Sequence, residues 1–260
     1  MAEAVFELQD VELVLPAAGG PRKVLSNVGF TLAAGEILTI VGASGTGKTS
    51  LLRILAGLTA PTSGQLRYRG KPMNGPQDGV AIVFQDYGNA LLQWRSVARN
   101  VALGVERELK GEALATRVAE ALRLVGLERN ADDYPWQLSG GMQQRVQIAR
   151  AVAMRPAVLL MDEPFGALDA MTKATQQDEL LHLRQATGAS IVFITHDIEE
   201  AVYLGDRVAL LSGSPGAISL TMDVGLPFPR DQVATRELPR FVALRHELHA
   251  AIRTGSGGRA

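Results

Sequence analysis

Three short stretches of this chain carry residue types at spacings that could do phosphate chemistry. The first is GASGTGKT at residues 42–49, which fits G-x-x-x-x-G-K-[ST]. Backbone N–H groups around Gly45 and Gly47 can cradle a β-phosphate at a helix N-terminus, where the helix dipole favours negative charge. Lys48 would reach the β- and γ-phosphates and the Thr49 hydroxyl would ligate Mg²⁺. The rival reading, a glycine-rich turn with a chance lysine, lacks the strand-before, helix-after context that this loop has. The second stretch is VLLMDEP at 158–164, four apolar residues ending in two acids. Asp162 sits where α/β sheets offer groups to ligands, suited to Mg²⁺. Glu163 could take a proton from an attacking water. The third is SIVFITHD at 190–197, which delivers His196 to the tip of another buried strand. Gln85, after the apolar run AIVF, could touch both Mg²⁺ and the water, with a plain strand-end glutamine as its rival. His182, His246 and His249 fall on amphipathic helical stretches and read as surface.

A further glycine pair is harder to explain. LSGGMQQRVQIARA, residues 138–151, puts a serine and two glycines ahead of a helix, far downstream of the phosphate loop. One nucleotide does not need two such loops.

The elements that must position these residues follow from the hydrophobic pattern. Short β-rich runs at 5–14, 24–32 and 36–41 open the chain, with the Gly/Pro-rich PAAGGPR between the first two. A helix over 50–58 and strands at 65–68 and 80–84 follow. Residues 89–155 turn helical. Leu114, Val118, Ala121, Leu122 and Val125 share one face of a helix over 112–125, and Met142, Val146, Ala149 and Ala153 share one over 142–153. Pro156 stops the latter. The strand–helix pattern returns with strands at 158–161, 190–195 and 208–211 and helices at 170–186 and 198–204. Continuous apolar strands separated by helices argue a parallel sheet covered on both faces. A last amphipathic helix is expected over 236–253, then a disordered tail, TGSGGRA.

Composition narrows the function classes. The chain has 260 residues, 47% of them hydrophobic, no cysteine and a formal net charge of -1. Absence of cysteine excludes disulfides and thiol chemistry within it. A near-neutral balance without a long basic block gives no footprint for nucleic acid. The N-terminus lacks the basic start and apolar run of a signal peptide, and no uncharged apolar stretch reaches ~18 residues, so an intracellular chain that meets membranes through a partner is expected.

In this order, GASGTGKT, the VFQ glutamine, LSGGM, LLMDEP, the GALD loop at 166–169 and the ITHD histidine resemble the ATP-binding subunit of an ABC transporter. The resemblance covers about residues 1–215. It implies an α/β P-loop NTPase with a RecA-like core, an N-terminal antiparallel β subdomain and an inserted helical subdomain near 89–155. The ATP-binding domain would span 1–225, and 226–260 would form a C-terminal extension. ATP would lie on Gly42, Ala43, Ser44, Gly45, Thr46, Gly47, Lys48, Thr49 and Ser50, with Thr49, Gln85 and Asp162 at Mg²⁺ and Glu163, His196 and Gln85 in catalysis. Family members pair head to tail, so Ser139, Gly140, Gly141 and Met142 would meet ATP bound by the partner. Asp169 would link the two sites. This answers the puzzle of the second glycine pair.

Two departures from the family pattern stand out. Met142 occupies a position that is often glutamine, and Leu15 stands where an aromatic residue usually stacks on adenine, so apolar contacts from Leu15 and Val24 to the base are expected instead.

The subfamily expectation is an importer of the taurine, sulfonate and nitrate group, resting on FQDYGNALLQWRSVARNVALGVE at 84–106 and LPFPRD at 226–231. Gln93 replaces that group's usual proline. Such a subunit would work as a homodimer, or with a paralogue, at the cytoplasmic face of the inner membrane. It would dock on an integral membrane permease and be served by an extracytoplasmic solute-binding protein. The alternatives are an ATPase for efflux or lipid export and a soluble ABC ATPase without a transport role. A kinase or GTPase would need an acceptor or guanine-reading element, and N/T-K-x-D is absent.

Overall fold

The computed structural model describes residues 4–85, 90–166 and 168–256, with backbone alone at 255 and 256. The expectations for the Gln85 loop at 86–89, for Ala167 in the GALD loop and for the tail at 257–260 lie outside the described residues. In chain order the strands and helices are β1 (Ala4–Leu15), β2 (Arg22–Ala33), β3 (Ile37–Val41), α1 (Lys48–Leu55), β4 (Ser63–Tyr68), β5 (Lys71–Pro72) and β6 (Val80–Val83). Then come α2 (Val97–Ala102), α3 (Gly111–Leu124), α4 (Gly140–Ala153), β7 (Val158–Asp162) and α5 (Ala170–Thr187). The chain closes with β8 (Ser190–Thr195), α6 (Ile198–Leu204), β9 (Arg207–Ser212), β10 (Ala217–Asp223), α7 (Ala234–Glu237) and α8 (Pro239–Ser256).

Two compact units emerge, Met1–Gln77 with Gly188–Ala260, and Asp78–Thr187. The first unit holds two sheets. An antiparallel sheet of order β2-β1-β4-β5 alternates apolar and polar residues, burying Phe6, Leu8, Val11 and Leu13 of β1 with Leu25, Val28 and Leu32 of β2. The second sheet runs β10-β9-β3-β8, with β3 parallel to both β8 and β9. Every residue of β3 and β8 is buried, as expected of parallel strands covered on both faces. Thr39 is the polar exception in β3, and its hydroxyl donates to the Ala201 and Arg207 carbonyls at 3.1 and 3.3 Å.

The second unit sets the parallel pair β6–β7 with the helices α2 to α5. Among the residues buried in its core are Val97, Val101, Val118, Ala121, Leu122, Val146, Ala149 and Ala153. These include the residues that the helical periodicity selected in α3 and α4, apart from Leu114 and Met142, which are half-buried, and Val125, which is buried just past α3.

Two expectations are corrected. The C-terminal helix is not continuous over 236–253: α7 ends at Glu237, and Leu238 is extended at φ −59, ψ 134 before Pro239 opens α8. The proline ring disfavours helical geometry for the residue before it. The extension packs within the first unit, where Phe241, Leu244 and Leu248 are buried and Glu199 accepts from both Arg236 and Arg245 at 2.9 Å. Strand β10 was not anticipated. It pairs antiparallel with β9 and is largely exposed, so its sequence AISLTMD lacks a buried run.

Candidate functional site

The phosphate loop leaves β3 at Val41 and enters α1 at Lys48. Gly47 occupies the N-cap in the left-handed region, φ 99 and ψ 11, and gives no side-chain cap. A Cβ there would stand 2.8 Å from Leu25 Cδ2 and 3.3 Å from Val24 Cγ1, so glycine is required on both conformational and steric grounds. Val24 therefore lies against the loop, whereas Leu15 ends β1, pairs with Arg22 and is 37% exposed. Around Gly45 the space is open, with nothing within 4 Å of where a Cβ would sit.

Lys48 is buried, and its ammonium donates to the Gly42 and Ala43 carbonyls at 2.8 and 3.1 Å. Thr46 Oγ1 donates to the Ala43 carbonyl at 2.9 Å, which tightens the same turn. Thr49 is exposed at the start of α1. A helix N-terminus lacking a side-chain cap, an open glycine and a buried ammonium fit a polyphosphate.

His196 belongs to the same unit. β3 and β8 run parallel with Val41 opposite Thr195, so Gly42 and His196 leave neighbouring strands at the same level. Hydrogen bonds fix both flanks of the exposed histidine. Thr195 Oγ1 donates to Glu200 and accepts from the Asp197 N–H, and Asp197 Oδ1 caps α6 through the Glu199 and Glu200 N–H groups at 2.9 and 3.2 Å.

The second unit repeats this register. Val83 of β6 lies opposite Met161 of β7, so Gln85 and the Asp162–Glu163 pair come off adjacent strand ends. Asp162 is buried at 6% exposure, Glu163 is half-buried and Gln85 is exposed. Glu163 has φ 43, a left-handed conformation for a non-glycine residue. Such backbone costs about 1–3 kcal/mol and gathers at functional sites. Each unit has oxygen donors of the kind that Mg²⁺ accepts while keeping waters and substrate oxygens: the Thr49 hydroxyl in the first, and the Asp162 carboxylate and Gln85 amide in the second. Among the described residues no cluster of three or more His, Cys, Asp or Glu could hold a metal unaided.

The second glycine pair opens α4. Ser139 is its N-cap, with Oγ accepting from the Met142 N–H at 3.3 Å. The Gln143 amide donates to the Pro135 carbonyl at 2.9 Å and ties this turn to the preceding segment. A Cβ on Gly141 would stand 3.0 Å from Thr172 Cγ2, so the glycine lets the start of α5 approach. Asp169 caps that helix: its Oδ1 accepts from the Met171 and Thr172 N–H groups at 3.1 and 3.0 Å. Thr172's hydroxyl and these amides hold the Asp169 carboxyl below the usual carboxylate range. The signature glycines and Asp169 are thus brought together within one unit.

Motif reading missed a polar network on α4. Gln147 is 4% exposed and, with its nitrogen toward the Phe84 carbonyl, donates there at 3.0 Å and accepts from the Phe84 N–H at 3.1 Å. Arg150 Nη1 donates to the Ala90 carbonyl at 2.8 Å, and its other nitrogens donate to the Asn100 carbonyl and Oδ1 at 3.0 and 2.8 Å. Asn100, fully buried, donates in turn to the carbonyls of Leu92, Arg95 and Ser96. The available signal was polar residues at 147 and 150 inside the otherwise apolar run VQIARAVA.

Residues 25–166 match the ABC transporter family. The chain is 43% identical over 256 residues to the taurine import ATP-binding protein TauB of Pseudomonas entomophila, covering 96% of each. It is 41% identical over 247 residues to the bicarbonate transport ATP-binding protein CmpD of Synechocystis sp., covering 94% of this chain and 87% of that one. With the nitrate import ATP-binding protein NrtC of Synechococcus elongatus it shares 42% identity over 234 residues, 88% of this chain but only 35% of that longer protein. Among solved structures, the ATP-binding cassette MJ0796, a dimer in a post-hydrolysis state bound to ADP and Pi, superposes with TM-score 0.74 at 31% identity, covering 84% of this chain and 98% of that one. A second, cbiO1 from Clostridium perfringens, gives TM-score 0.79 at 26% identity over 95% and 99% of the two chains. With a phosphate loop, an LSGG helix and strand-end acids in the cassette's order, this chain belongs to the ABC transporter family.

Proposed function

We propose that this chain is the ATP-hydrolysing subunit of an ABC importer for a small solute of the sulfonate, taurine, nitrate or bicarbonate kind. The observation that carries the reading is the pairing, in one chain, of one phosphate loop holding a buried lysine with a second, uncharged glycine-bearing helix start. A second copy, or a paralogue, completes each nucleotide site, as the dimeric state of MJ0796 supports. Gly42 to Ser50 bind the phosphates, with Leu15 and Val24 toward the base. Thr49, Asp162 and Gln85 would hold Mg²⁺, whose charge would offset that of the phosphates. Ser139, Gly140, Gly141, Met142 and Asp169 serve the partner's site.

In hydrolysis, Glu163 accepts the proton of the attacking water, Gln85 orients that water and His196 donates toward the γ-phosphate. Residues 85–95, part of which lie outside the described residues, would receive a short helix of an integral membrane permease. The subunit would then sit peripherally at the cytoplasmic face of the inner membrane; no described helix is long and apolar enough to cross a membrane. An extracytoplasmic binding protein would select the solute. The import names of the relatives, TauB, CmpD and NrtC, support this direction of transport.

Reconstitution with the co-purifying permease in vesicles tests the proposal. Binding proteins loaded with sulfonates, nitrate or bicarbonate should raise ATP turnover for one ligand class. Failure to co-purify with any permease, with ATPase unaffected by membranes, would overturn it.

A further inference from the structure

We infer that Gln147, on the signature helix α4, is a positioning residue for Gln85, acting through the backbone of Phe84. The inference rests on the proposed role of Gln85 at Mg²⁺ and the attacking water. The β6–β7 register ends at the Val83–Met161 pair, so Phe84 is the first residue beyond the ladder and Gln85 the second. At that point the Gln147 amide takes the place of a strand neighbour: it donates to the Phe84 carbonyl at 3.0 Å and accepts from the Phe84 N–H at 3.1 Å. The Phe84 ring is 43% exposed, so side-chain burial does little to fix this residue.

The chemistry demands an amide. A primary amide has one acceptor and two donors, spaced to pair with the N–H and C=O of a single residue. A carboxylate could accept but not donate, and a thioether of similar volume could do neither usefully. Both ends of the Gln147 amide are satisfied by this one backbone unit, which a buried polar group requires. One turn further along α4, Arg150 donates to the Ala90 carbonyl at 2.8 Å, so the same helix grips the segment beyond Gln85 as well. Gln147 lies eight residues from Ser139, about 12 Å along a rigid helix, so one element carries both the signature turn and the anchor of Gln85.

The test uses the full chain and two readouts, amide hydrogen exchange at Phe84 and a double-mutant cycle in Mg-ATPase. Gln147→Met keeps volume and removes both hydrogen bonds. Exchange of the Phe84 amide should rise about 10-fold or more, since the bond to Gln147 covers it. The kcat should fall about 10- to 100-fold, the cost of misplacing a catalytic group by roughly 1 Å, while KM for ATP changes less than about 2-fold. In a Gln85→Ala background the same change should cost nothing further, because the anchored group is already gone. Gln147→Glu, which keeps the acceptor, should fall between wild type and Met and serves alone if the Met variant does not fold. Unchanged Phe84 exchange, or effects that multiply in the double variant, would overturn the inference. Full turnover in Gln85→Ala would instead remove the role of Gln85 itself and the inference with it. Impaired Gln85→Ala beside a normal Gln147→Met would overturn the anchor alone.

Discussion

The N-termini of α1 and α4 look alike in sequence, each a glycine pair at a helix start, and differ in what they carry. At α1 the N-cap is Gly47 in left-handed geometry with no side-chain cap, and the first helical residue is a buried lysine. At α4 the N-cap is Ser139 in extended geometry, its hydroxyl already accepting from Met142, and residues 139–144 carry no charge. One end has dipole, open backbone and cation together and can hold a polyphosphate by itself. The other offers only dipole and neutral donors, about half of an anion site in electrostatic terms. On the proposed reading the second end works on a phosphate whose charge is met by the phosphate loop of a second chain.

The largest effect expected from this comparison is on Glu163, at the end of β7. If both helix ends close on one γ-phosphate, removing the proton acceptor should trap the closed pair. Glu163→Gln should lower turnover about 10²- to 10⁴-fold while leaving ATP binding intact and accumulating dimer. Size-exclusion chromatography with saturating MgATP reads the dimer, and phosphate release reads turnover. A variant that hydrolyses normally would remove Glu163 from catalysis; one that is inactive yet stays monomeric would separate the two helix ends.

Mixed dimers sharpen the comparison with a smaller signal. Lys48→Ala strips the complete end of its cation, and Ser139→Glu puts a carboxylate where the half-site should meet phosphate. Each homodimer should be inactive. In a dimer of one chain of each kind, both lesions fall in one composite site and the other site is intact, so partial ATPase should return on mixing. Complete loss at every mixing ratio would show that each chain completes its own site.

Much of this was legible in the sequence, for identifiable reasons. Strands β3 and β8 are buried runs, apolar but for Thr39, Ser190 and Thr195, and their parallel pairing sets Gly42 and His196 level, while β7 is an apolar run ending in Asp162. The α3 face from Val118 to Leu122 followed directly from helical spacing. Less legible were features that arise only from packing. Gln147 and Asn100 are polar residues on helices, yet both are buried: backbone at Phe84, distant in sequence, satisfies Gln147, and the local backbone of Leu92, Arg95 and Ser96 satisfies Asn100. The left-handed Glu163 is invisible in composition, since nothing in DEP forbids an ordinary turn. Strand β10 hid behind exposed, alternating residues, and the break at Leu238 was written in Pro239 but masked by the amphipathic pattern around it.

The smallest effect separates the capping role of Asp169 from its proposed role between sites. Asp169 Oδ1 accepts from the Met171 and Thr172 N–H groups, and α5 begins beside Gly141 of the half-site. Its carboxyl is held below the usual range, so the folded protein binds that proton more weakly than the unfolded chain does. The stabilisation is therefore complete above the unfolded carboxylate pKa and is lost as pH falls through the lower, folded value. Asp169→Asn keeps a good cap but removes the titration, so its melting temperature at neutral pH should stay close to wild type and lose part of the acid dependence. Asp169→Ala removes the cap and should melt slightly lower at neutral pH, converging with wild type in acid. If capping is the whole role, Asn should retain full ATPase, and the small turnover loss in Ala should track its stability. A fall in ATPase for Asn with no change in melting would instead assign the carboxylate to the partner's site, because an Asn cap leaves the helix start, and Gly141 against Thr172, as they were.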